Sequence, residues 1–310
     1  MSVLITGSMA YDTIMVFHDR FKEHILPDQV HILNVAFLVP DMRREFGGCA
    51  GNIAYNLKLL GADPLIMATV GQDFAPYAKW LEECGLSQDE IWGIENAYTA
   101  QAFITTDLDD NQITAFHPGA MSFSHQNSVP VDKGIELGTV SPDGKEGMQL
   151  HAKQFADAGI PFIFDPGQGM PMFSGDELLE ILKLARWVTL NDYEARLMEE
   201  KTGLSVSQLT EYVDAAIITR GSQGSDIFTR DGVVNIPAVT AQQVVDPTGC
   251  GDAYRAGLLY GMQNHLDWET TGRIASLIGA IKVASAGTQN HTFTLDEFRS
   301  AYKQQFNRDF

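Results

Sequence analysis

Three hundred and ten residues, 45% of them apolar, suffice for one large α/β core with room for a small appendage. A formal charge of −19 excludes nucleic-acid binding through a broad basic footprint. Three scattered cysteines, Cys49, Cys84 and Cys250, form no C-x-x-C pair, which argues against a zinc site or a disulfide framework and fits a reducing cytoplasm.

Along the chain, Val3–Thr6 reads as a short apolar strand ending at Gly7, and Thr13–Phe17 as a second. A helix is expected from Cys49 to about Leu60, with Ala50, Ile53, Ala54, Leu57 and Leu60 on one face and Gly61 as its stop. Pro64–Val70 reads as a buried strand and Phe74–Cys84 as a helix. Strand and helix go on alternating through Phe162–Phe164, Glu177–Ala185, Trp187–Leu190, Asp192–Lys201 and Ala216–Thr219, a rhythm that predicts a mostly parallel sheet covered by helices. Two zones, about 13–46 and 98–123, break it. Ala102–Thr106 and Gln112–Phe116 flank the polar turn DLDDN like a hairpin, and the two zones together suit a small antiparallel sheet lying as a lid over a pocket. Ser222–Pro237 is hairpin material around Arg230-Asp231-Gly232. No apolar run approaches the ~20 residues that span a bilayer, and MSVLITGSMAYD lacks the pattern of a signal peptide.

Chemistry concentrates where strands end. After the first strand comes Asp12, whose carboxylate could accept hydrogen bonds from two vicinal hydroxyls, or could be a solvated loop acid. Phe46–Leu60, FGGCAGNIAYNLKLL, places Gly47 and Gly48 ahead of a helix, where a ligand could approach the backbone closely, with Asn52 in the first turn as donor and acceptor. Asn191 is a good N-cap with Glu194 three residues on, a capping box that could equally serve a cation through water. Thr219-Arg220-Gly221-Ser222-Gln223-Gly224 ends another strand and alone is a turn. The most informative stretch is Val244–Met262, VVDPTGCGDAYRAGLLYGM. Asp246, Pro247 and Thr248 lead into Gly249-Cys250-Gly251, which opens a helix with Ala253, Ala256, Gly257 and Tyr260 on one face. Unobstructed amides at a helix start bind anions, phosphate above all. Asp252 stands beside them, a potential base, so the pairing suggests phosphoryl transfer to a hydroxyl. The eight histidines contain no H-x-x-x-H pair, and no Walker A motif is present.

D-x-T-G-x-G-D-A, here Asp246, Thr248, Gly249, Gly251, Asp252 and Ala253, resembles the second signature of the ribokinase-like (PfkB) carbohydrate and nucleoside kinases. Gly47, Gly48 and Asn52 resemble its first signature, and Asp12, NDYE and TRGSQG follow the family's order. The resemblance spans nearly the whole chain. It implies a single-domain, three-layer α/β/α sandwich with a mostly parallel central sheet and a small antiparallel β lid. It also implies ATP and Mg2+ as cofactors, with Asp252 as general base and the amides of Gly249, Cys250 and Gly251 at the transferring phosphoryl group. Asp12, Gly47, Gly48 and Asn52 would bind the sugar hydroxyls, with His117 on the substrate side of the lid. Asn191 and the Thr219, Arg220, Gly221, Ser222, Gln223, Gly224 run would lie along ATP, with Ser276 and Ala286-Gly287-Thr288-Gln289 around adenine. Glu194 would meet Mg2+ through water. Asp246, Thr248 and Gly287 resemble a monovalent-cation site that some members have, leaving K+ dependence open. Cys49 stands where ribokinases proper carry Lys, and GGCAGN with AFHPGAM is more similar to prokaryotic adenosine-kinase-like nucleoside kinases. Phe17, Phe103 and Phe116 would either stack on a purine or form lid core. A kinase of ribose, fructose or a related furanose is the near alternative, and a non-catalytic nucleoside-binding protein the remote one. Family relatives often pair through the lid, so a homodimer is an expectation; neither nucleic acid nor membrane is expected as a partner.

Overall fold

The structure, a computed structural model, describes residues 2–25, 34–109 and 111–310. Its large sheet has nine strands in the order β13-β12-β11-β10-β9-β8-β1-β4-β5. They are β1 (Ser2–Thr6), β4 (Pro64–Val70), β5 (Ile91–Gly93), β8 (Ile135–Val140), β9 (Phe162–Phe164), β10 (Trp187–Asn191), β11 (Ala215–Thr219), β12 (Ser225–Thr229) and β13 (Gly232–Ile236). All run parallel from β5 to β11, and the β12–β13 hairpin closes one edge antiparallel.

Side chains alternate across this sheet, and both faces are buried. Val3 and Ile5 of β1 and Ile217 of β11 belong to one core; Leu4, Ala216 and Ile218 belong to the other. The first core packs against α2 (Cys49–Leu59), α3 (Ala75–Glu83), α8 (Cys250–Gln263), α9 (Trp268–Val283) and α10 (Leu295–Phe306). The second packs against α4 (Lys145–Asp157), α5 (Gly175–Leu184), α6 (Asp192–Thr202) and α7 (Val206–Leu209). Helices α8 and α9 cross tightly: a Cβ on Gly257 would lie 2.4 Å from the Cα of Ala275. This is the expected α/β/α sandwich, and among the described residues no helix is long and apolar enough to cross a membrane.

The second sheet has the order β3-β2-β6-β7, from β2 (Ala10–Val16), β3 (Asp41–Gly47), β6 (Ala100–Thr106) and β7 (Gln112–His117). Both break zones contribute to it. β2–β3 and β6–β7 are antiparallel, and the two pairs join through a parallel β2–β6 contact. A short helix, α1 (Phe21–His24), follows β2. Residues 26–33 of the first zone and residue 110 in the DLDDN turn lie outside the described residues.

β8, α4, α9 and α10 lie outside the expected elements. In β8, IELGTV, Glu136 and Gly138 interrupt the apolar run. Gly138 is required by tertiary packing, because a Cβ there would meet the Phe155 ring at 2.4 Å. Val244–Val245, an apolar pair, is exposed and lies outside any strand.

Candidate active site

The C-terminal ends of parallel strands form the floor of the site, the usual place for ligands in open α/β sheets. Gly7 follows β1, Asp165 follows β9, Asn191 ends β10 and Thr219 ends β11. Asp252 rises from the first turn of α8, and the lid strand β2 brings Asp12 in from the other side.

The two signatures meet directly. Asn52 Nδ2 donates to Asp252 Oδ2 at 2.8 Å, across 200 positions of sequence. Gln289 Nε2 donates to Asn52 Oδ1 at 3.0 Å and also reaches the Tyr77 hydroxyl, which donates to the Gly47 carbonyl at 2.9 Å. Trp80 Nε1 holds the Gln289 oxygen at 2.8 Å. Asn52 is thus fixed from behind with its amide NH2 presented to Asp252. Asp12 lies against Gly47, where a Cβ would come within 2.5 Å of its Oδ2.

Acidity follows from this crowding. Burial pushes Asp252 up to about 6, against the opposing charge of Arg255 and the Asn52 hydrogen bond. Burial, then the negative charges of Asp246 and Glu45, push Asp12 up to about 6 as well. Both groups are poised to exchange protons near neutrality.

A positive charge sits under the turn. Arg255 forms a two-pronged ion pair with Asp165, Nη2 to Oδ1 at 2.7 Å and Nε to Oδ2, and its side chain is 11% exposed. Its guanidinium reaches forward to the glycine turn, since a Cβ on Gly251 would lie 2.7 Å from Nη1. Burial works against the charge, but Asp165, with Asp252 and Glu194 nearby, holds Arg255 protonated above its usual range.

Gly249, at φ 78°, turns the chain into α8. The Cys250 amide donates to the Pro247 carbonyl at 3.1 Å, so it closes the turn and is not available to a ligand. The expected trio is corrected there, because a chain reversing through a left-handed residue uses one amide for itself. Among the described residues, the amides of Gly249, Gly251 and Asp252 have no acceptor.

The glycine pair before α2 is needed for contact with the β1–β2 connection. Gly48 has φ 85°, and a Cβ there would lie 2.5 Å from the Ser8 carbonyl oxygen and 2.6 Å from the Ala10 nitrogen. Gly48→Ala should therefore cost about 3 kcal/mol, from backbone strain and overlap together. Thermal melting checks this, and an unchanged midpoint would mean that the turn can relax. Cys49, which follows, is half-buried between Ser8 and the Pro142 carbonyl, and desolvation raises its thiol well above the usual range. It is a packing residue.

Several expected ligands have structural tasks. Asn191 and Glu194 form a full capping box, with Glu194 N to Asn191 Oδ1 at 2.7 Å and Asn191 N to Glu194 Oε2 at 2.8 Å. Arg220 is paired with Asp226 at 2.5 Å. Gly221, Ser222 and Gln223 form an exposed turn, and Gly224 packs against the Ile236 carbonyl. Ser276 is a strut, accepting from Val239 N at 3.0 Å and donating to the Pro237 carbonyl. Thr288 and Gln289 turn inward to Phe46 and Asn52. The Asp246 carboxylate accepts from the amides of Thr248 and Gly287, both at 2.9 Å. Burial opposes its charge, but those bonds hold it below its usual range.

Register sorts the lid aromatics. Asp12 pairs with Ala102, and Ala102 with Phe116, so these three share one face; Phe103 pairs with Thr13 and Ala115 on the other. Phe116 shares the face of Asp12, and Phe103 the opposite one. Phe17 is buried against Phe21 and Phe37 and is lid core. His117 is exposed at the end of β7. The sequence reading missed Asp165, Arg255, Tyr77 and Lys282. Only Arg255 carried a signal, as a charged residue beside the small ones on the first turns of α8.

Comparison with known proteins agrees with this geometry. A nucleoside kinase of Methanocaldococcus jannaschii is 32% identical over 85% of the chain and 87% of its own length. Its crystal structure superposes with a TM-score of 0.89 over 98% of both chains, at 30% identity. A Burkholderia thailandensis nucleoside kinase, solved in complex with inosine, is 51% identical and superposes with a TM-score of 0.90 over 99% of both chains. Residues 6–294 match the pfkB family carbohydrate kinase description. With the glycine turn, the paired Asp252 and Asn52, and the small sheet all in place, the chain belongs to the pfkB family of carbohydrate kinases.

Proposed function

We propose that the chain is an ATP-dependent kinase that phosphorylates the 5′-hydroxyl of a purine nucleoside. The observation that carries this reading is the Asn52–Asp252 hydrogen bond. It fixes a carboxylate beside unengaged helix-start amides, in a cleft whose other wall holds Asp12. The inosine complex of the Burkholderia relative supports a nucleoside.

In this reading Asp252 accepts the proton of the attacking hydroxyl. The amides of Gly249, Gly251 and Asp252 donate to the charge that develops on the transferred group. ATP, when bound, would supply that group, and Mg2+ would offset the charge of its phosphates. Among the described residues no group of three or more His, Cys, Asp or Glu could hold a metal ion. The remaining donors suit a cation carried on phosphates and reached through water, with Glu194 as the carboxylate proposed to meet that water. Asp12 accepts from the ribose 2′- and 3′-hydroxyls. The exposed edge of β7, with Ile113 uncovered, supports a homodimer through the lid, which light scattering would test.

Phe116 is the aromatic residue on the Asp12 face and the proposed support for the base. Phe116→Ala should raise KM for the nucleoside about tenfold, the loss of roughly 1.4 kcal/mol of stacking, and leave kcat nearly unchanged. Phe103→Ala, on the opposite face, should alter neither constant, and equal effects would remove the base contact from Phe116.

A substrate panel tests the whole reading. Adenosine, inosine, ribose and fructose are each offered with ATP and Mg2+, and phosphorylation is followed. Reaction of nucleosides at least ~100-fold faster in kcat/KM is expected, the discrimination that a built site achieves against a substrate lacking the group it grips. Reaction of free sugars alone would replace it with the furanose kinase, and binding without turnover with the non-catalytic protein.

A further inference from the structure

Lys282, in the last turn of α9, is fully buried. Its ammonium donates to the Asp246 carbonyl at 2.7 Å and to the Ser285 carbonyl at 3.2 Å. Asp246 is the residue that leads into the Gly249–Gly251 turn, and its carboxylate ties Thr248 to Gly287. The amides of Val245 and Asp246 bond to the Val283 carbonyl, which anchors the same strip of chain to the end of α9. Buried lysines are rare because desolvation disfavours the charge. Here burial pulls Lys282 below its usual range, and Cys250, Asp246 and Asp252 support the charge. The C-terminus of a helix adds a favourable field for a cation.

Two backbone carbonyls next to a carboxylate, at the root of an anion-binding turn, are a setting in which a monovalent cation would sit. Asp246, the carboxylate expected to line such a site, already has its oxygens engaged. Both Asp246 carboxylate oxygens accept from amides, and its carbonyl accepts from Lys282.

We propose that the Lys282 ammonium takes the place of a bound monovalent cation, so that phosphoryl transfer by this enzyme does not depend on potassium. Lys282 is a positioning residue. It holds the carbonyl at the root of the turn and places a fixed positive charge behind the amides that meet the phosphoryl group. The inference rests on the kinase reading above.

The test compares initial rates of inosine and adenosine phosphorylation in tetramethylammonium buffer and with saturating potassium or ammonium chloride. The wild-type protein should keep the same kcat within about twofold, because its charge is built in. Lys282→Ala should lose about 100-fold in kcat without added cation, the scale of removing one oriented charge from such a site. Its KM for the nucleoside should hold, since the sugar contacts lie elsewhere, and potassium or ammonium should restore at least about tenfold by filling the vacated space. Lys282→Met, which fills that space without charge, should lose as much and recover nothing.

A wild-type enzyme stimulated tenfold by potassium would overturn the proposal while leaving the kinase reading intact, and this arm needs no variant to fold. A Lys282→Ala loss that neither cation relieves would reduce the lysine to a structural strut and overturn it too. No turnover by the wild-type protein in any salt would remove the kinase reading and the inference with it.

Discussion

Asp252→Asn should lower kcat about 1,000-fold if Asp252 is the proton acceptor we propose, because it removes that acceptor while keeping shape and the Asn52 contact. The Asn side chain can still accept from Asn52 Nδ2, so nucleoside binding should persist. The wild-type kcat should rise tenfold per pH unit up to about 6 and then level, following the Asp252 acidity. The variant should lose that limb. Asp12, also raised to about 6, should instead govern KM, which falls as its carboxylate ionises. An Asn variant with wild-type turnover would take Asp252 out of the chemistry.

The same substitution should stabilise the protein above pH 6. A carboxylate raised from 3.8 to about 6 binds its proton more tightly folded than unfolded. Its ionisation therefore costs the fold on the order of 3 kcal/mol at neutral pH, a cost that shrinks as pH falls through 6 and vanishes below about 3.8. Asp252→Asn removes the charge, so its melting temperature should exceed the wild type at pH 8 and match it near pH 4. An inactive but more stable variant is the signature of a group held for its chemistry.

Arg255→Met should destabilise the protein by about 3–5 kcal/mol, because it strands the Asp165 carboxylate in a buried place. Asp165→Leu combined with Arg255→Met should recover most of that loss, since an apolar pair of similar size needs no solvation. Turnover separates the structural and catalytic parts. The double variant should melt near the wild-type temperature yet remain about 100-fold slower, having lost the positive charge beneath Gly251. Restored turnover along with restored stability would confine Arg255 to holding the fold.

The strands β1, β4, β10 and β11 were legible because burial on both faces leaves them almost wholly apolar, with only Thr69 and Thr189 inside β4 and β10. The turn glycines and the Asp252 stretch were legible because their spacing is local. β8 was not, since Gly138 is explained only by a phenylalanine from a helix later in the chain. The partners of Arg220 and Ser276 were not legible for a similar reason: the ion pair to Asp226 and the backbone contacts to Pro237 and Val239 arise only in the tertiary structure. Asp165, Lys282 and Tyr77 act through partners dozens to hundreds of positions away, and nothing adjacent to them in sequence distinguishes them. The choice between Phe103 and Phe116 needed the strand register, because a slip of one residue exchanges the faces.

Asp12 rides on the small sheet, whereas Asp252 and the glycine turn open a helix packed on the large one. A bound nucleoside would thus act as a clasp, its ribose diol fastened to the small sheet and its reacting oxygen to that helix. A substrate stripped of the diol should lose speed as well as affinity, because the grip far from the reacting atom is what draws the two walls together around it.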